Sequence, residues 1–155
     1  MKKHAEFFEA NGIKTLSFLF NNAHETEDFI IAGTRGWYYD EETQNTPNDT
    51  DFTKLTNRET QRLRISLDQA LELKKNAPEK EILVFTHFPP CYAGKESEPI
   101  VNLLCDYGIR RTYYGHIHGS YDTPSCLDAE GIRFCITSAD FLHFTPLLVA
   151  KEPVL

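Results

Sequence analysis

Apolar and polar positions alternate along the chain in short runs, some at the helical period and some at the strand period. Residues 3–11 (KHAEFFEAN) read as a short helix that Asn11-Gly12 stops. Residues 15–20 (TLSFLF) and 28–33 (DFIIAG) are apolar enough and short enough to be strands. Asn21, Asn22 and the charged stretch to Asp28 would turn between them, which predicts a hairpin. Gly33 to Trp37 (GTRGW) forms a glycine-bracketed loop, and the polar residues 39–57 read as a surface loop. From about Asn57 to Lys75 the positions Leu63, Leu67, Ala70, Leu71 and Lys74 share one face at helical spacing. Lys74 and Lys75 suit the negative end of that helix, and Pro78 stops it.

The second half alternates more regularly. Residues 81–86 (EILVFT) predict a buried strand, followed by a loop from His87 to Lys95. Residues 98–107 predict a short amphipathic helix with Ile100, Leu103 and Leu104 inward, ended by Gly108. Residues 109–114 (IRRTYY) predict a strand and residues 115–123 a loop. Residues 131–137 (GIRFCIT) and 146–150 (PLLVA) predict the last two strands. The order is α-β-β-loop-α-β-α-β-β-β, which points to an α/β or mixed α+β sandwich. There are no repeats, low-complexity tracts or linkers. The whole chain, 1–155, reads as one domain, with 39–57 its one candidate boundary.

Composition narrows the class. Apolar residues make up 41% and charged residues 25%, and 11 Phe with 7 Tyr exclude a disordered chain. A formal net charge of −7 argues against nucleic acid or an anionic membrane as the main partner. It would also repel a phosphate substrate unless a bound cation compensates locally. Cys91, Cys105, Cys126 and Cys135 form no CxxC pair. The charged first twenty residues do not look like a signal peptide, and no apolar run approaches a membrane span. The expectation is a cytoplasmic protein with reduced thiols.

Two junctions carry the candidate chemistry. In EILVFTHFPP (81–90) and RRTYYGHIHG (110–119) an apolar strand runs directly into histidine. Ligand-binding groups collect beyond the carboxyl ends of strands in open α/β sheets. His87, His116 and His118 would therefore meet if the two strands are neighbours. In an extended segment residues two apart project to one side, so His116 and His118 would face one site. Gly115 and Gly119 bracket that pair, and Pro89 and Pro90 stiffen the loop after His87. Imidazole suits zinc, manganese, iron or cobalt. The competing reading is that single histidines at strand ends are surface or capping residues. Three of them in such settings favour a metal.

Thr86-His87-Phe88-Pro89-Pro90 resembles the fourth metal motif of calcineurin-like metallophosphoesterases, and Gly115-His116-Ile117-His118-Gly119 resembles their fifth, GHxH. GTRGW (33–37), Ser138 to Leu142 and the Pro146 segment are similar to stretches of bacterial members. The resemblance covers essentially the whole chain, as the C-terminal half of a four-layer fold in which two mixed sheets are flanked by helices. It implies a site with two divalent ions, commonly manganese, iron, zinc or nickel. His87 and His116 would serve one ion and His118 the other, and the substrate would be a phosphate mono- or diester. The family's upstream DxH, GDxxD and GNH motifs do not occur here. The expectation is therefore a fragment that holds at most one ion, with weak or no activity alone. It would associate with itself through apolar surface that the missing half would cover. Two other classes stay open: a non-catalytic binding or assembly module that retains the fold, and a single-metal binding protein.

Other residues have plainer readings. Arg35 could contact a phosphate, although a surface salt bridge is the simpler role. Trp37, Tyr38 and Tyr39 read as packing residues, and His4, His24 and His143 as structural. Cys91 could sit near a metal but reads as a buried thiol. Asp140 could hold one of the imidazoles in orientation.

Overall fold

Strict alternation in EILVFT sends its side chains to opposite faces of a central sheet. Ile82 and Val84 join the helix-covered core, whereas Leu83 joins a smaller cluster on the other face with Tyr113 and Cys135. The computed structural model describes residues 2–37 and 51–149. Its element order is α1 (Lys2–Ala10), β1 (Asn22–Glu25), β2 (Phe29–Thr34), α2 (Phe52–Lys74), β3 (Glu81–Thr86), β4 (Cys91–Tyr92), β5 (Lys95–Glu96), α3 (Glu98–Asp106), β6 (Arg111–Tyr114), β7 (Cys126–Ala129) and β8 (Ile132–Ile136).

The sheet has six strands in the order β1-β2-β3-β6-β8-β7. The four inner strands β2, β3, β6 and β8 run parallel, and β1 and β7 close the edges antiparallel. Helix α2 packs on β1 and β2 and against α3. Leu63, Leu67 and Ala70 of α2, Ile100 and Leu104 of α3, and Phe134 of β8 are all fully buried in this layer. A mixed sheet flanked by helices agrees with the α/β class expected.

Register sets the functional rim. Thr34 pairs with Thr86, Thr86 with Tyr114, and Tyr114 with Ile136. The four parallel strands therefore end at one level. Arg35, His87, Gly115 and Thr137 leave the sheet side by side. The close approach of β2 to β3 needs Gly33, because a Cβ there would lie 2.2 Å from the Phe85 carbonyl oxygen.

Several expectations are corrected. Residues 15–20 form no strand. The first strand is the polar Asn22–Glu25, which had been expected as a turn, and it makes the hairpin with β2. The helix expected from Asn57 begins at Phe52, where the Asp51 carboxylate accepts from the Lys54 amide at 2.9 Å and caps the first turn. Residues 39–50 of the expected surface loop lie outside the described residues. Residues 146–149 are not a strand, and the final sheet edge is instead β7. The loop after His87 contains the small β4-β5 hairpin. Cys126 and Cys135 face one another across β7 and β8 and are joined as a disulfide, so the reduced-thiol expectation fails for this pair. Cys91 is free and buried, and Cys105 is free and exposed. Among the described residues no helix is long and apolar enough to cross a membrane.

Candidate functional site

The two histidine junctions meet because β3 and β6 are adjacent, parallel and level at their ends. His87 Nε2 and His116 Nδ1 lie 3.2 Å apart, and their rings are nearly perpendicular at 73°. All three histidines are exposed. Phe88 lies between the two loops, with its ring centroid 4.8 Å from that of His87 and 4.4 Å from that of His116.

The first junction is tied to the loop after β2. The amides of His87 and Phe88 both donate to the Arg35 carbonyl, at 3.0 and 2.9 Å. The Thr86 hydroxyl donates to the Phe88 carbonyl at 2.8 Å. Gly36 lies beneath, at φ 69°. A Cβ there would stand 3.3 Å from the Phe88 oxygen, so the positive φ favours glycine and its close neighbours leave a side chain little room.

The second junction is not the extended segment expected. Residues 115–118 form no strand, and His116 sits in the left-handed region at φ 69°. That twist breaks the two-residue alternation. His116 points at His87, while His118 Nδ1 pairs with Asp140 Oδ1 at 2.7 Å. Asp140 also accepts from the Gly119 amide at 3.0 Å and from the Tyr121 hydroxyl at 3.3 Å. It thus orients an imidazole, the role raised for it from sequence. Ile117, between the histidines, turns inward and packs against the helix-side core.

Electrostatics keep the facing pair neutral. Burial pushes His87 below the ordinary imidazole value, helped by the Arg35 guanidinium and by His118. Burial likewise lowers His116, with His87 and His118 contributing. Neutral rings keep the lone pairs that a metal needs. The Gly119 amide first, and the bond from His118 second, hold the Asp140 carboxyl at about 2.

The 3.2 Å separation can be compared with the spacing of two ligands on one ion. Two nitrogens bonded tetrahedrally to one zinc-like ion at 2.0–2.1 Å stand about 3.3 Å apart. That spacing would suit His87 and His116 as two donors to a single ion, and it is equally the length of a direct hydrogen bond between the two rings. His118, turned toward Asp140, is within electrostatic reach of both but forms no third arm with them. Among the described residues no group of three or more His, Cys, Asp or Glu side chains is placed to hold a metal.

The remaining candidates separate cleanly. Arg35 makes the expected salt bridge, its Nη2 lying 3.3 Å from Glu59 Oε1, while its guanidinium lies 5.2 Å from the Trp37 ring centroid. Trp37 is buried and packs on Phe88; Tyr38 and Tyr39 lie outside the described residues. His4 packs on Phe18, His24 bonds to the Phe18 carbonyl and His143 stacks on Tyr121, so none of them joins the rim pair. Cys91 sits in the helix-side core, where burial, with Glu96 adding to it, raises its thiol pKa and keeps it protonated. Sequence reasoning missed Glu59, a fully buried carboxylate on α2 that also contacts Arg58 and Arg62. The face read from the sequence runs through Leu63, Leu67 and Ala70, and nothing in the residues around position 59 signals that this carboxylate turns inward. Comparison with protein-family models, curated proteins and solved structures finds no match.

Proposed function

We propose that this chain supplies the histidine side of a metal-dependent phosphoesterase site, with His87 and His116 sharing one divalent ion and His118 serving a second. The observation that carries this reading is the 3.2 Å approach of His87 Nε2 to His116 Nδ1 beyond the level ends of two parallel strands. A manganese, iron, zinc or nickel ion held there would polarise a phosphoryl oxygen and neutralise its charge. The chain's own residues do the rest. His87 and His116 present neutral nitrogens, Asp140 fixes the ring of His118, and Arg35, paired with Glu59 at the same rim, offers a cation to a phosphate mono- or diester.

Further carboxylate donors from another polypeptide segment would complete the site, so the chain alone should hold one ion weakly and turn over slowly. The absence of a third ligand beside the pair, among the described residues, favours a second reading: a protein that binds a single ion without hydrolysis.

Cobalt or zinc titration, paired with turnover of p-nitrophenyl phosphate in manganese, tests both. Expected for the first reading is metal binding that falls at least about tenfold in His87→Ala and His116→Ala, with slow turnover that falls alongside. Binding without any turnover supports the second reading. Equal metal affinity in the wild type and both variants would refute the two together.

A further inference from the structure

A carboxylate with no exposure is an unusual choice for an α2 position that could have carried a core leucine. Removing its water costs several kcal/mol unless cations replace it. Here three do. Arg62 Nη1 reaches Glu59 Oε1 at 2.7 Å, and Arg35 Nη2 and Arg58 Nε each reach it at 3.3 Å. Glu59 itself is 0% exposed, while the three arginine side chains keep 40%, 48% and 34% of their surface in contact with solvent.

Among the described residues the cluster has cationic charge and N–H donors in excess of its one carboxylate. Three guanidinium groups and one carboxylate sum to +2 (3 − 1), in a protein whose net charge is −7. Each guanidinium has five N–H donors in a planar fork, and among the described residues the hydrogen bonds of these three go to one oxygen, Glu59 Oε1. Arg58 and Arg62 stand four apart on one helix, where like charges repel. Burying Glu59 and crowding these cations both oppose folding, and neither improves the core. What the arrangement gains is three guanidinium planes gathered around a fixed point and opened to water. The Trp37 ring, 5.2 Å from the Arg35 guanidinium carbon, and the Phe88 ring, at 5.8 Å, restrict that plane further.

Position gives the cluster its meaning. A cavity of about 390 Å³ is lined by Arg35 and His87 together with Thr34, Thr86, Phe20 and Phe85. Arg35 is the one arginine of the cluster that lines this cavity, and His87 the one histidine of the facing pair.

We propose that Arg35, Arg58 and Arg62, gathered on the buried Glu59 carboxylate, form an anion cradle that binds a second anionic group of a small organic phosphate whose reacting phosphate lies at His87 and His116. The substrate class is thus a phosphate ester carrying another phosphate or a carboxylate, held by paired N–H···O contacts. The cradle rests on the phosphoesterase reading only for the reacting phosphate. Its own anion binding needs no metal.

The test exploits that independence. Inorganic phosphate is titrated calorimetrically into the whole chain in chelator at low salt. The double variant Arg58→Gln/Arg62→Gln should bind about tenfold more weakly, and Arg58→Lys/Arg62→Lys should recover part of the loss. Arg133→Gln, a control on β8, should stay within about twofold of wild type. With manganese present, pyrophosphate should bind about tenfold more tightly than orthophosphate, and the Gln double variant should lose that preference. Circular dichroism melts of each variant separate lost binding from lost fold. Phosphate affinity unchanged by the Gln pair in a folded protein, or absent from the wild type, overturns the cradle. Failure of metal to bind the wild type, with arginine-dependent phosphate binding intact, overturns the phosphoesterase reading alone.

Discussion

The two histidine junctions leave the sheet at the same level, after neighbouring parallel strands, yet they are held in opposite ways. His87 is fixed by its backbone: its amide and that of Phe88 share the Arg35 carbonyl, so the loop is sewn to the end of β2. The loop that carries His116 and His118 is tied more loosely, its Gly115 amide reaching the Thr86 carbonyl at 3.4 Å. One histidine is held in a left-handed twist at φ 69°, and the other by a carboxylate from residue 140. A hydrogen-bonded loop aims its side chain as a consequence of the sheet. A twisted loop aims it against local preference, at a cost of about 1–2 kcal/mol for a residue with a Cβ. The first junction should therefore fail when the sheet is disturbed, and the second when its own residues are changed.

The largest effect is expected where the sheet supports the first junction. Gly33 pairs with Phe85, and a methyl group on it would enter the space of the Phe85 carbonyl at 2.2 Å and of Leu19 Cδ2 at 2.9 Å. Backbone cannot yield as a flexible side chain does, so Gly33→Ala should cost about 3 kcal/mol in urea denaturation. It should also loosen Arg35 from His87, because Arg35 follows β2 directly. A loss below about 1 kcal/mol would mean that β2 and β3 are not so close and that the seam does not depend on them.

A smaller effect of opposite sign is expected at the second junction. His116→Gly should relieve the left-handed strain, partly offset by the greater freedom of glycine in the unfolded chain, and so raise stability by about 0.5–1 kcal/mol. The same variant should lose the metal binding ascribed to the His87–His116 pair. His87→Ala removes the same ligand partnership without relieving any twist, so it should bring no gain in stability. Equal stability changes in the two variants would erase the contrast between the junctions.

The parts of this arrangement that could be read in the sequence are those with strong periodicity. EILVFT, the apolar face of α2 and the Ile100-Leu103-Leu104 face of α3 announce themselves, and so do the histidines that follow the strands. Tertiary pairing decided the rest. NAHE has no apolar alternation and becomes a strand because β2 offers it an edge, whereas TLSFLF has the apolar character of a strand and pairs with no strand among the described residues. The early start of α2 depended on one capping aspartate in a polar run. Cys126 and Cys135 gave no sign of pairing, because their meeting requires the β7-β8 register. The left-handed φ of His116 could not be foreseen either, since Gly115 beside it seemed the natural place for the turn. The pairing of Asp140 with His118 was legible only as a proximity between a strand end and a loop, and Glu59 not at all.

The finest contrast between the junctions is electrostatic. Among the described residues no carboxylate hydrogen-bonds to His87, whereas Asp140 bonds to His118, a contact that adds to the Gly119 amide in lowering the Asp140 carboxyl from 3.8 to about 2. A depressed carboxyl pKa means that the unfolded chain takes up a proton before the folded one does. The stability contributed by Asp140 is therefore complete above about pH 3.8 and disappears as the pH falls toward 2. In metal-free protein, a carboxyl titration followed by NMR should place the Asp140 midpoint near 2. His118→Gln should raise it only part of the way, because the larger share of the shift comes from the Gly119 amide, which the substitution leaves in place. Asp140→Asn should flatten the acid limb of stability in that same window and leave the neutral region nearly unchanged. A wild-type midpoint close to 3.8 would mean that the carboxylate does not brace the histidine, and the second junction would be left with its backbone twist alone to aim it.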